Sequence, residues 1–443
     1  MQTKQQLGYF SLTMIVISFV IGMGIFKTPS TVAAKAGTEF IFYAAWLLCG
    51  LVALCGALTY SEIGVRLPVT GAYYKVFAYA YHPSIGFTIN ILILISNAAS
   101  LAVVVLIGAD YVSDLLFSKP SGTLFNVAFA AFAVLLFYGV NLLGLKTSSK
   151  TQNILMLFKI GLILLLISSF FTNIQVEPHG YDKGKIYEYT GSNGWLLLML
   201  SLVAVSFTYG GYQQTINFGE EIKNTKTMQR GIVTGMIVVV LLYFALNYVY
   251  VQVIGFDKMK NATAIGALLC ESWFGTTGAK VFDACMFLGV LAYVNVVLLS
   301  NPRVMYAMSN DGVFPKIFSY KHKKTGVLIP GLTVFTLVTL IVTFFGKGVD
   351  DVLSFSIFLD CFGMSLSAAT LLILRKRKLG EENVKGFIKK ITPVLCILFV
   401  LAYSIVAIAV VIDKPYAALI GVVLMIIFML LYFVLYHKKK ATL

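Results

Sequence analysis

The sequence has 443 residues, of which 59% are hydrophobic and only 12% are charged, and its mean hydropathy is +0.87. Because a soluble domain is about one quarter charged, this composition excludes a soluble protein. Apolar segments of about 20 residues, the length that crosses ~30 Å of hydrocarbon, recur almost from end to end. The chain is therefore predicted to be an all-α membrane protein with a single membrane domain and no cleaved signal peptide.

Hydropathy and turn residues divide the chain into about twelve transmembrane helices. These spans are predicted at 10–34, 40–65, 84–117, 123–145, 151–172, 194–219, 230–254, 280–309, 328–346, 349–374, 391–412 and 415–436.

The net charge of +15 could indicate a nucleic-acid partner, but the basic residues are distributed among the loops between apolar segments. With the N-terminus inside, 23 of the 34 Lys and Arg residues fall on the cytoplasmic side, ten fall outside, and Lys159 lies within the membrane. Cytoplasmic loops carry an excess of Lys and Arg. We therefore predict an integral protein of the plasma (inner) membrane with both termini cytoplasmic. The expected partners are the lipid bilayer and a small solute, and nucleic acid is excluded.

Residues that could support catalysis are few. The four histidines lie near span ends or in loops, and the six cysteines are scattered without the spacing of metal or redox sites. No arrangement of nucleophile, acid and base is recognisable. We predict that the protein is not an enzyme and that it binds neither a metal nor a cofactor.

Two predicted spans contain glycines at mid-depth. Residues 21–26 of the first span are IGMGIF, and residues 207–214 of the sixth are FTYGGYQQ. Glycines also allow close packing of membrane helices, which is the alternative interpretation of each segment. If the glycines break the helices, the freed backbone groups are tolerated only where they line a cavity. Two such segments therefore favour a binding site.

The two interrupted spans are five spans apart and so cross the membrane in opposite directions. This is the pattern of an inverted repeat, predicted here at 10–172 and 194–374, with two additional helices at 391–436. Transporters built from such repeats hold their substrate near the bilayer midplane, between broken helices. The pattern predicts a secondary transporter.

A zwitterion fits two broken helices, because helix N-termini present free amides and helix C-termini present free carbonyls. We expect the substrate carboxylate at the amides of residues 22–25 and its ammonium at the carbonyls of residues 21, 207 and 209. Glycine lets a ligand approach the backbone closely. The predicted substrate-binding residues are Ile21, Gly22, Met23, Gly24, Ile25, Phe207, Thr208, Tyr209 and Gly211.

Ionisable residues within membrane spans are functional by default. Lys159 in the fifth span is either a coupling cation or a lysine that extends to the interface. Asp360 in the tenth span either contacts a cationic substrate or bonds to a neighbouring helix. Asn295 in the eighth span is a second possible substrate or helix contact.

Several short elements resemble, in order, those of the amino acid-polyamine-organocation (APC) transporters, particularly their L-type amino acid exchanger branch. They are GMGIF at 22–26, YSEIG at 60–64 with Pro68 and GAY at 71–73, NLLGLK at 141–146, FTYGGY at 207–212 with EEIKN at 220–224, and Asn295 with Arg303 and NDG at 310–312. The resemblance implies a LeuT-type fold with helices 1 and 6 broken, and alternating access. It also implies that Phe207 is an outer gate and that Lys159 occupies the place of a sodium ion bound by sodium-driven relatives.

The predicted function is secondary active transport of amino acids, as neutral L-amino acid exchange or as proton-coupled uptake. Neither break contains an acidic side chain, which favours neutral substrates, while Asp360 keeps cationic amino acid or polyamine antiport as an alternative. A transport-silent amino acid sensor is a further alternative. A channel would need polar rings or a repeated filter motif, which broken helices do not provide. The sequence does not identify a partner protein.

Overall fold

The computed structural model describes residues 7–117, 122–172, 194–262, 264–345, 349–384, 388–413 and 415–436. Its α-helices are α1 (Tyr9–Val20), α2 (Gly24–Ala36), α3 (Glu39–Arg66), α4 (Ala72–Ala80), α5 (Pro83–Phe117), α6 (Thr123–Leu142), α7 (Leu145–Ser168), α8 (Gly194–Thr208), α9 (Thr225–Val249), α10 (Phe256–Met259), α11 (Ile265–Asn310), α12 (Ile329–Phe345), α13 (Val349–Lys376), α14 (Ile388–Asp413) and α15 (Pro415–Tyr436). Short 3₁₀ helices occur at Ser169–Phe171, Tyr212–Asn217, Gly219–Glu221, Lys316–Ser319 and Glu381–Asn383, and a π-helical turn at Tyr250–Ile254.

The prediction of an all-α membrane protein is confirmed. The described residues form helices and two isolated β-bridges, without a strand. Within the described residues, ten helices are long and apolar enough to cross a membrane, and α1 with α2 passes the same test as one span bent by 41°. With the shorter apolar helix α12, each of the twelve predicted spans has a helical counterpart. The number of membrane crossings itself stays a prediction.

Helices α9 and α11 begin well before the predicted spans. Helix α9 begins at Thr225, five residues before the predicted span, and the side chain of Asn224 caps it by accepting a hydrogen bond from the Thr227 amide at 2.8 Å. Helix α11 begins at Ile265 and is interrupted at Gly275, where φ is +64°. Hydropathy misses the start of α9 because the polar ends of membrane helices lie outside the hydrocarbon. The predicted eighth span instead begins after the interruption of α11 at Gly275.

The helices around the molecular centre differ from those at its edge. Helix α11 packs against α5, α7, α12 and α6, and α1 packs against α9 and α7. Helix α15 instead leaves most of its large apolar side chains exposed, as expected of a helix that faces lipid. The two predicted breaks lie among the central helices, at the junctions of α1 with α2 and of α8 with the 3₁₀ helix that follows it.

Candidate functional site

The first break lies between Val20, the last residue of α1, and Gly24, the first residue of α2. The carbonyl of Val20 accepts hydrogen bonds from the amide of Gly22 at 2.8 Å and from the Tyr243 hydroxyl at 3.0 Å. At the start of α2 the amide of Phe26 donates to the carbonyl of Met23 at 3.1 Å, and the amides before it have no partner within their own helix. The first break therefore combines a helix C-terminus and a helix N-terminus, as the glycines indicated.

The second break follows Thr208, the last residue of α8. Gly211 has φ +106°, a conformation that favours glycine, and its amide donates to Oε1 of Gln213 at 2.9 Å. Beyond it the chain continues as a 3₁₀ helix over Tyr212–Asn217 and not as an α-helix. The interruption predicted in the sixth span is thus a change of helix type at a glycine of positive φ.

The two breaks touch each other through their backbones. A Cβ atom on Gly211 would collide with the carbonyl group of Phe19, and a Cβ atom on Gly24 would lie 3.1 Å from the Thr208 side chain. Gly211 is therefore required by its close approach to the α1 backbone, while Gly24 leaves little space for a side chain beside Thr208.

Lys159 connects the first break to α11. Its side chain is buried, and Nζ donates hydrogen bonds to the carbonyl of Ile21 at 2.7 Å and to that of Gly289 at 2.9 Å. A Cβ atom at position 289 would collide with the Lys159 side chain. The lysine thus lies inside the helical bundle and does not extend to the membrane surface.

A cavity of about 280 Å³ lies where the breaks meet. It reaches the molecular surface along α2 at Lys27, which is exposed. The predicted site residues that line it are Gly22, Met23, Gly24, Lys159, Phe207, Thr208, Gly211 and Asp360. Phe207 lines the cavity and is 37% exposed.

Four predicted site residues do not line this cavity. Ile21 and Ile25 are fully buried, although the Ile21 carbonyl binds Lys159. The ring of Tyr209 packs among aromatic residues of α3 and α9. Asn295 lies in a network of buried polar side chains.

That network joins four helices beside the cavity. Nδ2 of Asn295 donates to Oε1 of Gln152 at 2.6 Å and to the carbonyl of Ser148 at 2.9 Å, while Asn141 donates to Oδ1 of Asn295 at 3.0 Å. Gln152 in turn donates to the hydroxyl of Ser18 on α1. In this structure Asn295 is therefore a contact between helices, one of the two roles that the sequence left open.

Sequence reasoning missed several polar residues of the cavity. Asn97 on α5 and Asn301 on α11 line it and are joined by a 2.8 Å hydrogen bond, and Gln213, Gln214 and Tyr293 also line it. The available signal was an amide side chain within an otherwise apolar span, because such a group needs a partner at membrane depth.

Asp360 adds a carboxylate to the cavity wall. It is half-buried, and among the described residues it makes no hydrogen bond or ion pair. The described lining residues also include the cations Lys159 and Lys27, but Lys159 is already bonded to two carbonyls.

The opposite end of the bundle is closed by ion pairs and backbone contacts. We call it the basic face; its contacts involve Arg66, Arg303 and Arg375. Glu62 is fully buried and pairs with Arg66 at 2.7 Å and with Arg375 at 2.5 Å. Arg303 pairs with Glu221 at 3.0 Å.

The chain before α1 adds to this closure. The amide of Leu7 donates to the carbonyl of Glu221 at 2.9 Å, and the amide of Lys223 donates to the carbonyl of Leu7 at 3.2 Å. Leu7 is fully buried. The contacts of the basic face therefore seal the bundle below the two breaks.

Comparison with known proteins agrees with this architecture. A model of the amino acid permease family matches residues 7–436. The serine/threonine exchanger SteT of Bacillus subtilis is 26% identical over 390 residues, which are 86% of this chain and 85% of the exchanger. The branched-chain amino acid permease BcaP of the same organism is 27% identical over 72% of this chain and 70% of the permease. The human large neutral amino acids transporter small subunit 2 is 24% identical over 85% of this chain and 70% of that subunit. The chain therefore belongs to the amino acid permease family of the APC superfamily, and it is an amino acid transporter of the membrane and not an enzyme.

Proposed function

We propose that this protein is a secondary active transporter of neutral L-amino acids that works by alternating access and holds its substrate between the two broken helices. The observation that carries the proposal is the meeting of both breaks in one cavity, with Gly211 against the Phe19 carbonyl. A helix N-terminus and two helix C-termini at one place provide groups of opposite polarity for the two charges of an amino acid.

The substrate carboxylate binds at the start of α2, where Gly22 and Gly24 line the cavity. The ammonium binds near the end of α8, where the carbonyl of Phe207 accepts from the Gly210 amide at 3.1 Å and that of Thr208 accepts from the Tyr243 hydroxyl at 3.5 Å, which leaves each oxygen a second lone pair. The sequence predicts that the Ile21 carbonyl binds the substrate ammonium. In this proposal it binds Lys159 instead, because it already accepts a hydrogen bond from that side chain. Phe207 closes over the bound substrate from the side of Lys27.

Two observations favour neutral substrates. Neither break carries an acidic side chain. The relatives include proteins named for serine and threonine, for branched-chain amino acids and for large neutral amino acids, and one of them is named an exchanger. We accordingly favour exchange of neutral amino acids over proton-coupled uptake.

A cationic substrate is the second candidate, and Asp360 is the observation that favours it. Its carboxylate lines the cavity and has no hydrogen-bond partner among the described residues. An amino acid or polyamine with a distal ammonium would supply a partner for this carboxylate. The named relatives do not favour this candidate over the first.

The proposal includes an orientation and an internal repeat. We place the basic face and both termini in the cytoplasm of a cell whose plasma membrane holds the protein, since Lys and Arg are in excess on that side. We also propose that 10–172 and 194–374 are the two inverted repeats and that 391–436 adds two helices.

Uptake into proteoliposomes tests this function. Labelled leucine, serine and lysine are offered to vesicles that are empty, loaded with unlabelled leucine, or placed under a pH gradient. Exchange predicts uptake of the neutral substrates only into loaded vesicles. Uptake into empty vesicles that follows the pH gradient would show proton-coupled transport and contradict exchange. Binding without uptake under every condition would show that the protein is a sensor and not a transporter.

A further inference from the structure

A second cavity of about 410 Å³ lies at the basic face, apart from the two breaks. It is formed at the end of α6, the start of α7, the last turns of α11 and the start of α12. Since transmembrane helices begin and end at the interface between hydrocarbon and water, this cavity lies at the level of the lipid headgroups.

The floor of this cavity is apolar. Leu298, Leu299, Leu328 and Leu332 are all less than 10% exposed in the fold, and the half-buried Leu145 lies beside them. An apolar surface of this kind accepts a hydrocarbon chain without leaving buried polar groups unpaired.

The rim of the cavity is basic and comes from the loop between α11 and α12. Lys321, Lys323 and Lys324 line it together with His322. Among the described residues, none of these lysines forms a salt bridge. Glu221 also lines this cavity, but its carboxylate is paired with Arg303.

Hydrogen bonds hold the rim in a defined turn. The amide of Gly326 donates to the carbonyl of His322 at 2.9 Å, and the amide of His322 donates to the carbonyl of Val327 at 2.9 Å. Nδ1 of His322 accepts from the amide of Thr325 at 3.2 Å. Thr325 packs beside Gly144 at the start of α7. The basic side chains are therefore carried by a folded loop.

We propose that this cavity is a binding site for an anionic phospholipid, with the phosphate of its headgroup at the lysine rim and an acyl chain on the leucine floor. Charge complementarity selects the headgroup, since clusters of Lys and Arg beside membrane helices attract anionic lipids. The apolar floor selects a lipid over a soluble phosphate compound. The site is separate from the substrate cavity and does not depend on the identity of the transported amino acid.

Native mass spectrometry of the purified transporter with added phosphatidylglycerol tests the site. The rim variant replaces Lys321, Lys323 and Lys324 with Ala, and the matched control replaces three exposed residues at and before the start of α9, Lys223, Lys226 and Arg230, with Ala. Both variants lose three positive charges. The rim variant should bind phosphatidylglycerol about tenfold or more weakly than the original protein, and the control should stay within about twofold.

A second variant separates a lipid from a soluble anion. Leu145→Trp places a large ring at the edge of the floor and should weaken phosphatidylglycerol binding while the lysines remain. Equal lipid binding by the rim variant and its control would overturn the proposal. So would displacement of the bound lipid by millimolar inorganic phosphate together with no effect of Leu145→Trp, because the site would then recognise phosphate alone. Thermal stabilisation by the transported amino acid confirms that each variant is folded.

Discussion

Nζ of Lys159 lies 2.7 Å from the carbonyl oxygen of Ile21, the first residue after α1 ends. The same ammonium donates to Gly289 on α11. A carbonyl at a helix C-terminus lacks its partner within the helix, and in a membrane that loss costs several kcal/mol. Lys159 thus compensates part of the cost of the first break and fixes the broken end to a neighbouring helix.

Replacing Lys159 with Met should reduce amino acid transport about tenfold or more and lower the melting temperature. Met retains the apolar stem and removes the ammonium, so two charge-assisted hydrogen bonds are lost, each contributing roughly 1.5–3 kcal/mol. The control is Lys150→Met, an exposed position on the same helix. Flux and stability equal to those of the control would show that Lys159 does not support the break.

Replacing Gly211 with Ala should abolish most transport and destabilise the protein by about 1–3 kcal/mol. Ala at position 211 would have to adopt the positive φ that glycine has there, and its Cβ atom would collide with the Phe19 carbonyl. Gly161→Ala is the control, since that glycine is helical and has open space around its Cβ position. Uptake assays and thermal unfolding compare the two variants. Similar transport rates and melting temperatures for both would contradict the proposed contact between the breaks.

Replacing Phe207 with Ala should raise the half-saturating concentration of substrate about tenfold, which corresponds to roughly 1.4 kcal/mol of lost binding. An aromatic ring that closes over the substrate removes apolar surface from water, and an Ala side chain would cover much less of that surface. Phe132→Ala changes an exposed ring on α6 that does not line the cavity and serves as the control. An unchanged concentration dependence would exclude Phe207 as the gate.

Replacing Asp360 with Asn distinguishes the two candidate substrate classes. For a neutral substrate, uptake of leucine or serine should stay within about threefold of the original value, because Asn keeps the size and polarity of the side chain. For a cationic substrate, lysine uptake should fall at least about tenfold as the charge pair is lost. Competition between labelled leucine and unlabelled lysine, measured in both proteins, decides between them.

Replacing Glu62 with Gln should destabilise the basic face by about 3–5 kcal/mol, since it leaves the buried Arg66 without its full counter-charge. Glu381→Gln is the matched control, because Glu381 pairs with Lys389 at 2.7 Å where both side chains are about 40% exposed. An exposed pair of this kind contributes little to stability, because solvent screens its charges. Equal melting temperatures for the two variants would contradict the assigned role of Glu62.

The sequence predicted the helical class, and it favoured the two breaks over simple packing and a functional Lys159 over one that extends to the interface, because each leaves a local signal. Glycines at mid-span and a lysine within an apolar segment stand out against their neighbours. The contact between Asn97 and Asn301 was not predicted, since two isolated amides 204 positions apart do not indicate that they meet. The placement of Asn295 in a helix contact was likewise undecided, because side-chain direction depends on how the helices rotate against one another.

The contact of Gly211 with the Phe19 carbonyl also limits how this chain can vary. A larger residue at position 211 cannot be accommodated by a change in the same helix, since the obstacle is a main-chain oxygen of α1. Two segments about 190 residues apart in the chain are therefore constrained as one unit. Among natural variants, we expect new substrate preferences to come from the cavity walls, while the geometry of the two breaks stays the same.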